Sequence, residues 1–379
     1  MRSPILAAAA FGLAACGAGA QTPQQAPITK PAPKADLPFA VTPVATFKAP
    51  WALAFLPDGR MLVTEKKGML KLVSADGKTQ IDVAGVPAVD SGGQGGLMDV
   101  AISPQFAKDG LVYFSYSAAG DGGLKGVILA RGKLAATGDA ARLEGVTTLY
   151  TASPFVEGGG HYSGRILFAP DGTIYYTNGE RQKFDPAQDP SGSLGKVLHL
   201  TAEGKPAGKG PLTARGFKPE VVSYGHRNLL GLAFDDRGRL WEVEMGPLGG
   251  DELNLVVPGR NYGWPIVSNG NHYDGKDIPD HPTRQEFEAP KASWNPSIAP
   301  SSLMIYSGRL FPAWRNSAFI GALAGKGLVR VALNGTEADE IEMWDMKARI
   351  RGVRQGPDGA IWVLEDAPGG RLLRLTPKG

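Results

Sequence analysis

The stretch of sequence that decides the fold is GGGHYSGRILFAPDGTIYYTNGE, which runs from Gly158 to Glu180. It contains two short apolar segments separated by a Pro-Asp-Gly turn. This pattern predicts a β-hairpin, because proline pre-sets the backbone at the second turn position and glycine tolerates the exit conformation. One histidine, His161, lies on the glycine-rich loop directly before the hairpin.

The same strand–turn–strand pattern returns along the whole chain. Its copies cover residues 53–63, 100–114, 158–180, 232–241, 308–320 (a degenerate copy) and 353–363. Units of roughly 55 to 60 residues fit four-stranded blades, so the repeat predicts an all-β fold, a six-bladed β-propeller. A β-sandwich or a β-helix with coincidental Asp-Gly turns explains the long spacing and constant phase less well.

Composition supports this fold class and argues against a nucleic-acid partner. The 379 residues include 52 glycines and 30 prolines, which favours short strands and turns over long helices. Lysine plus arginine (40) exceeds aspartate plus glutamate (37) by three, and these charges are scattered. The chain therefore lacks the long basic run with which proteins track phosphates.

The N-terminus reads as an export signal followed by a tether. Residues 1–16 carry one early charge and an alanine-rich apolar run that is too short to span a bilayer. The run ends at Cys16, the single cysteine, in a context that resembles a lipoprotein box, although cleavage after Ala20 is an alternative. Residues 17–38 are rich in proline, glutamine and alanine and predict a disordered tether, so the propeller domain is expected to cover 39–379. This places the protein in the periplasm or outside the cell, with a possible lipid anchor at Cys16.

Polar residues recur at the same phase of the repeat, just before first strands or at the ends of second strands. A hairpin returns the chain to the side it left, so these positions should converge on one mouth of the central channel. They are Gln94, His161, Arg227, Asn228, Gly246, Pro247, Lys326, Arg349 and Arg351. Several cations at one mouth predict an anionic ligand, and a polycarboxylate cofactor would satisfy them.

The order of these motifs resembles the glucose/sorbosone dehydrogenase family, in particular its aldose sugar dehydrogenase branch. The similarity runs from about residue 41 to the end of the chain. It is carried by segments 50–53, 92–97, 161–178, 224–228, 249–254, 261–265, 319–323 and 349–351. The resemblance implies a six-bladed propeller that uses pyrroloquinoline quinone (PQQ) and Ca²⁺ to oxidise aldoses at the anomeric carbon, with an electron acceptor other than oxygen, here a periplasmic one.

The resemblance also implies residue roles. His161 would be the general base, an apt role for a side chain that titrates near neutral pH. Ca²⁺ would be bound by the carbonyls of Gly246 and Pro247, and a second Ca²⁺ by Glu252 and the carbonyl of Tyr262. The residues implied to contact the cofactor are Gln94, Arg227, Asn228, Tyr273, Ala324, Gly325, Lys326, Arg349 and Arg351; Arg227 is also counted as catalytic.

Several positions leave alternatives open. In the glucose-specialised branch an acidic residue precedes the histidine, whereas here Gly160 does, which questions how His161 is oriented. His199, His226 and His281 are expected to be structural, and Asp251-Glu252 to form either a metal site or an exposed turn. A calcium-dependent lactonase and a non-catalytic binding propeller are the alternative functions; the lactonase would require side-chain carboxylates around a channel metal.

Overall fold

The computed structural model describes residues 28–29 and 32–379. Within this part, regular structure is almost entirely β: there is one four-residue α-helix, α1, at Phe106–Asp109. Short 3-10 turns lie at Asp121–Gly123, Asp185–Ala187, Thr213–Arg215, His281–Thr283 and Pro312–Trp314. No helix of the described part is long and apolar enough to cross a membrane. The prediction of an all-β fold is confirmed.

The strands follow one another with short connections. In chain order they are β1 Ile28–Thr29, β2 Phe39–Phe47, β3 Pro50–Phe55, β4 Met61–Glu65, β5 Met69–Val73, β6 Gln80–Ala84, β7 Leu97–Ile102, β8 Leu111–Ala119, β9 Lys125–Thr137, β10 Ala140–Thr151, β11 Ser163–Phe168, β12 Ile174–Asn178, β13 Lys196–Leu200, β14 Val221–Tyr224, β15 Leu229–Phe234, β16 Leu240–Glu244, β17 Asp251–Leu255, β18 Ala292–Trp294, β19 Pro300–Ile305, β20 Ser317–Ala322, β21 Gly327–Asn334, β22 Glu337–Asp345, β23 Ile350–Gln355, β24 Ile361–Glu365 and β25 Gly370–Pro377.

The described strands form antiparallel meanders in consecutive groups. The sheet orders are β3-β4-β5-β6-β10-β9-β8-β7, β11-β12-β13-β14, β1-β18-β17-β16-β15, β19-β20-β21-β22 and β2-β25-β24-β23. In the longest sheet, β6 and β10 join two meanders through a short parallel pair. The first strands β3, β7, β11, β15, β19 and β23 each contact the next, and β23 contacts β3. Because this cycle closes, the arrangement is propeller-like.

The two ends of the domain meet in one sheet. Strand β2 pairs with β25 along its length, from Phe39 opposite Pro377 to Phe47 opposite Gly370. The N-terminal strand thus completes the sheet formed by the C-terminal strands. This pairing covers the edge of β25 and joins the two ends of the domain, and β2 becomes the outer strand of the sheet.

The Asp-Gly turns behave as expected from their sequence. In the hairpin β11–β12, Oδ1 of Asp171 accepts a hydrogen bond from the Thr173 amide at 3.0 Å. Gly172 has a φ of +84°, a conformation that costs glycine little. Asp358 makes the same bond to the Ala360 amide at 3.0 Å in the hairpin β23–β24. Turn formation accounts for these aspartates without a metal.

The degenerate copy predicted at residues 308–320 is out of phase. The first strand of that unit is β19, Pro300–Ile305, and residues 308–316 of the predicted copy belong to the connection to β20. The connection places aromatic rings in the core: Phe311 stacks on Trp314 with ring centroids 4.2 Å apart. The apolar character of this segment reflects that packing rather than strand pairing.

The segment predicted as a tether, 17–38, is tied to the sheets near its end. Thr29 pairs with Trp294 at the edge of β18. Lys34 bridges to Trp344, and its amide donates to the Met343 carbonyl at 2.8 Å. Free backbone groups on the two edge strands provide these partners.

Arg165 crosses the axis of the ring and links its innermost strands. Its guanidinium donates to Asp99 on β7 at 3.1 Å, to the Leu230 carbonyl on β15 at 2.6 Å and to the Ser301 carbonyl on β19. It also lies 4.0 Å from the ring centroid of Trp51 on β3. Burial lowers the pKa of Arg165 to about 10, although Asp99 opposes that effect. The channel is therefore filled at this level by a charged side chain whose bonds are satisfied.

Candidate active site

Two adjoining cavities open on the side of the ring where the first strands begin. The channel cavity, of about 420 Å³, has a polar and cationic lining that includes Trp51, Lys66, Gln94, Asn228, Arg349, Arg351 and Asp366. The aromatic cavity, of about 350 Å³, has a lining that includes His161, Glu180, Phe184, Arg227, Pro247, Trp264 and Tyr273. The predicted convergence of loop residues from different repeats on one mouth is thus observed for most of them.

His161 lines the aromatic cavity, and the next two residues, Tyr162 and Ser163, line the channel cavity. Its side chain is buried, and its amide donates to Oε1 of Gln94 at 2.8 Å. Its backbone has a φ of +48°, which directs the chain sharply into β11. The next strand approaches closely at Gly179, where a Cβ atom would collide with the His161 carbonyl oxygen. Glycine at this position lets Glu180 reach the imidazole.

The Glu180 carboxylate hydrogen-bonds Nδ1 of His161, and its other oxygen accepts the amides of Lys183 at 2.6 Å and Phe184 at 2.7 Å. Since an ionised carboxylate only accepts, Nδ1 carries the proton and Nε2 is left as the basic nitrogen. The acid that the sequence lacks at Gly160 is therefore supplied from the end of the following hairpin.

Burial and nearby charges keep the His161 imidazole neutral and the Glu180 carboxylate ionised. Burial lowers the pKa of His161, Glu180 opposes that effect, and the charge of Arg227 adds to it. Burial acts to raise the pKa of Glu180, but its bond to His161 and nearby charges hold that pKa below its ordinary value. At neutral pH the site thus holds a neutral imidazole on an ionised carboxylate.

Arg227 connects the aromatic cavity to the loop after β16. It donates through Nη1 to the carbonyls of Met245 at 3.0 Å and Gly246 at 2.6 Å, and through Nη2 to the Tyr273 hydroxyl at 3.1 Å. Its guanidinium also lies 5.1 Å from the Trp264 ring centroid. Its Nε is buried with no hydrogen-bond partner, so Arg227 retains a free donor.

Arg349 and Arg351 share a carboxylate partner. Asp366 lies between them, accepting from Nε of Arg349 at 2.9 Å and from Nη2 of Arg351 at 3.0 Å. Burial acts to raise the pKa of Asp366, but the arginines hold it low. One carboxylate facing two arginines and Lys66 leaves the channel cavity with an excess of positive charge.

The remaining predicted cofactor residues differ in burial and in whether they line a cavity. Asn228 is buried and its Oδ1 accepts from the Ser163 hydroxyl at 3.2 Å. Tyr273 is 70% exposed at the rim. In the loop after β20, Ala324 and Lys326 are exposed, and the residue of that loop in the channel-cavity lining is Leu323.

The predicted calcium residues lie around the loop between β16 and β17. The Gly246 amide donates to Oδ1 of Asp251 at 2.9 Å, and burial raises the pKa of Asp251 to about 6. Asp251 and Glu252 are both buried, so they do not form an exposed turn. A separate cavity of about 10 Å³, the size of one small ion or water, is lined in part by Glu252 and Tyr262.

Reasoning from the sequence missed several residues that shape the site. They are Trp51, Lys66, Glu180, Phe184, Trp264 and Asp366. Glu180 could have been found, because it ends the same hairpin that His161 begins. Asp366 and Phe184 carry no local signal: their placement depends on which strand ends and loops meet in space.

Comparison with known proteins identifies the family of this chain. The family model described as glucose/sorbosone dehydrogenase matches residues 47–374. The chain belongs to this family. The resemblance inferred from the motifs is confirmed.

Individual members of the glucose/sorbosone dehydrogenase family are similar over most of their length. "Aldose sugar dehydrogenase YliI" of Escherichia coli is 37% identical, covering 87% of this chain and 90% of its own. "Quinoprotein glucose dehydrogenase B" of Acinetobacter calcoaceticus is 26% identical, covering 86% and 85%. The PQQ-bound structure of an aldose sugar dehydrogenase from Streptomyces coelicolor has a TM-score of 0.75 at 30% identity, covering 91% and 99%.

Proposed function

We propose that this protein is a PQQ-dependent aldose dehydrogenase that oxidises the anomeric carbon of sugars to lactones. The observation that carries the proposal is the buried His161–Glu180 pair in the lining of the aromatic cavity, with Arg349 and Arg351 in the lining of the channel cavity. Relatives that are named as aldose sugar dehydrogenases support the substrate class. We also propose that the strands form six blades, the longest sheet being two four-stranded blades joined at β6 and β10.

The channel cavity fits a planar polycarboxylate such as PQQ. Arg349 and Arg351 offer bidentate donors, and Lys66 and Asn228 add polar groups on other sides of the cavity. Trp51 provides an aromatic surface that Arg165 holds in place. When bound, the quinone supplies the two-electron acceptor for the hydride that leaves the sugar.

The loop after β16 fits Ca²⁺ in chemical terms. Backbone carbonyls such as those of Gly246 and Pro247 are hard oxygen donors, and Arg227 uses only one lone pair of the Gly246 oxygen. The small cavity at Glu252 and Tyr262 would hold a second Ca²⁺, because it offers a carboxylate in a space of ionic size. Ca²⁺ would neutralise negative charge and fix ligand orientation.

His161 then acts as the general base. Nε2 accepts the proton of the anomeric hydroxyl, and the C–H bond of the same carbon breaks with its electron pair, so that a lactone carbonyl forms. Glu180 fixes the tautomer and stabilises the imidazolium that results. Arg227, whose Nε has no hydrogen-bond partner, would donate to an oxygen that gains negative charge.

The aromatic cavity is the proposed sugar site. Phe184 stacks on Trp264 with ring centroids 5.6 Å apart, and Tyr273 lies at the rim. Flat apolar rings suit the C–H faces of a pyranose, and polar groups such as Gln182 and Asp274 in the same lining suit its hydroxyls.

We further propose export to the periplasm, electron transfer to a periplasmic acceptor, and lipid attachment at Cys16. The signal at 1–16 and Cys16 lie outside the described residues. A Cys16→Ser variant should move from the membrane to the soluble fraction, and unchanged fractionation would contradict the anchor.

The proposal is tested by adding PQQ and Ca²⁺ to the purified protein and measuring dye reduction with a panel of aldoses. We expect sugar-dependent reduction that requires the quinone. A protein that neither binds the quinone nor reduces dye with any sugar is not this enzyme. Metal-dependent lactone hydrolysis without quinone would instead support the lactonase alternative, and a His161→Ala variant with unchanged function would support a binding propeller.

A further inference from the structure

A second histidine is buried among carboxylates behind the active site. We name this group the carboxylate cluster: His226, Glu242 and Glu244. Nδ1 of His226 lies 3.2 Å from Oε1 of Glu244 and 3.6 Å from Oε1 of Glu242. One ligand atom from each of the three side chains lies within 4.8 Å of the others. These separations resemble the edges of a metal coordination polyhedron with bonds of about 2.0–2.2 Å.

Strand geometry places these carboxylates on one face. Glu242 and Glu244 are two residues apart on β16, so both side chains point the same way. On β17, Asn254 lies opposite Glu242 and Glu252 lies opposite Glu244. Three carboxylates are thereby brought together in the interior, with Glu242 fully inaccessible to solvent.

The polar groups of this region are incompletely satisfied. Nδ2 of Asn254 lies among three carboxylate oxygens, at 2.7 Å from Glu242, 3.0 Å from Glu252 and 3.5 Å from Glu244. Oε2 of Glu242 and Oδ1 of Asn254 are both buried without a hydrogen-bond partner. Buried oxygens without partners are rare in folded proteins, and a bound ion is one arrangement that satisfies them. The Asn254 amide group therefore lies against all three carboxylates and could contact a cation bound among them.

The imidazole of His226 is oriented as metal-binding histidines are. Nε2 lies 2.8 Å from the Ser223 hydroxyl, and the ring stacks on Tyr262 with centroids 4.4 Å apart. A histidine that donates one nitrogen to a neutral partner presents the other to a metal. Here that other nitrogen is Nδ1, which faces the two carboxylates.

We propose that His226, Glu242 and Glu244 bind a divalent transition-metal ion of the Zn²⁺ class. One imidazole and two carboxylates form a mixed nitrogen and oxygen donor set that suits Zn²⁺ better than Ca²⁺, which prefers oxygen alone. Rotation of the Asn254 amide by 180° would present Oδ1 as a fourth donor, and it would give that buried oxygen a partner. This donor set differs from those of the proposed Ca²⁺ positions, although Glu244 also lines the small cavity at Glu252 and Tyr262. The site does not depend on the sugar chemistry.

The test uses the whole purified protein, stripped with a chelator and then titrated with Zn²⁺ by calorimetry. Co²⁺ is added in a parallel titration, because its visible absorption reports ligand type. We expect one Zn²⁺ per chain and a Co²⁺ spectrum typical of nitrogen and oxygen ligands. A Glu242→Gln variant keeps the shape of the side chain and should weaken Zn²⁺ binding by at least about tenfold.

His199→Gln is the matched control, because the His199 ring stacks on Tyr175 and does not belong to the carboxylate cluster. This variant should bind Zn²⁺ like the wild type, whereas His226→Gln should lose the Co²⁺ spectrum. The proposal is overturned if the wild type binds no stoichiometric Zn²⁺, or if folded Glu242→Gln protein binds it with wild-type affinity. Full displacement of Co²⁺ by millimolar Ca²⁺ would also overturn it, because the site would then be a calcium site.

Discussion

Two buried histidines of this protein are bound to carboxylates through Nδ1, yet their pKa values move in opposite directions. At His161 burial lowers the pKa, Arg227 adds to that effect, and the single carboxylate of Glu180 does not reverse it. At His226 burial also acts to lower the pKa, but bonds to Glu242 and Glu244 outweigh it and raise the pKa to about 9. The number of carboxylates and the position of one arginine decide which imidazole is a neutral base.

The two histidines are linked by the chain itself. Arg227 follows His226 directly, and its amide donates to Oε2 of Glu244 at 2.6 Å. Its guanidinium extends to the aromatic cavity, where its charge acts on His161. Arg227 thus bonds to the buried Glu244 carboxylate through its amide and supplies positive charge to the active site through its guanidinium.

Removing the base should have the largest effect. His161→Gln leaves the hydroxyl proton without an acceptor, so kcat should fall by about 10² to 10⁴-fold. Steady-state dye reduction measures kcat, and titration with PQQ in the same preparation checks that cofactor binding persists. A variant that retains full kcat would remove His161 from the mechanism.

Breaking the partner bond should have a smaller effect. Glu180→Gln removes the negative charge that fixes the tautomer and stabilises the imidazolium, so kcat should fall by roughly 10 to 10³-fold, less than the loss of about 10⁴-fold on amide substitution of the aspartate in a Ser-His-Asp triad. Glu220→Gln is a control at another glutamate that bonds an aromatic side chain, Tyr150. Equal losses in both variants would indicate a general effect on folding instead.

The pH dependence of kcat/KM should report the protonation of His161. Because the His161 pKa lies below its ordinary value near 6.5, the imidazole stays neutral as pH falls through that value. The acid limb of kcat/KM should therefore lie below pH 6.5. A limb above this pH in the wild type would contradict the assignment of a depressed pKa to the base.

Neutral substitutions should shift that limb in opposite directions. Glu180 raises the pKa of His161, so Glu180→Gln should move the limb to lower pH. Arg227 lowers it, so Arg227→Met should move the limb to higher pH, and NMR titration of His161 in the cofactor-free protein measures both shifts. Shifts of the same sign would show that changed solvent exposure, not charge, dominates.

The sequence predicted the hairpin units because each contains its own turn chemistry and strand pattern. It also placed His161, Gln94, Arg227 and Arg351 at one mouth, since a repeated hairpin fixes the side on which each loop lies. It failed in the first half of the copy at 308–320, because residues 308–316 form a connection whose aromatic residues pack in the core, whereas 317–320 do lie in β20. It left the orientation of His161 open, because the acid that settles it lies 19 residues away at Glu180.

The sequence by itself determined the all-β repeat, the family and several of the residues at the channel mouth. Turns and strand periods are local properties that can be read without knowing which strands meet. Only the tertiary structure decided the pairing of Asp366 with two arginines, the crossing of the channel by Arg165, and the opposite charge states predicted for His161 and His226. These depend on burial and on distances between residues far apart in the chain, and small differences in those distances set the electrostatic balance.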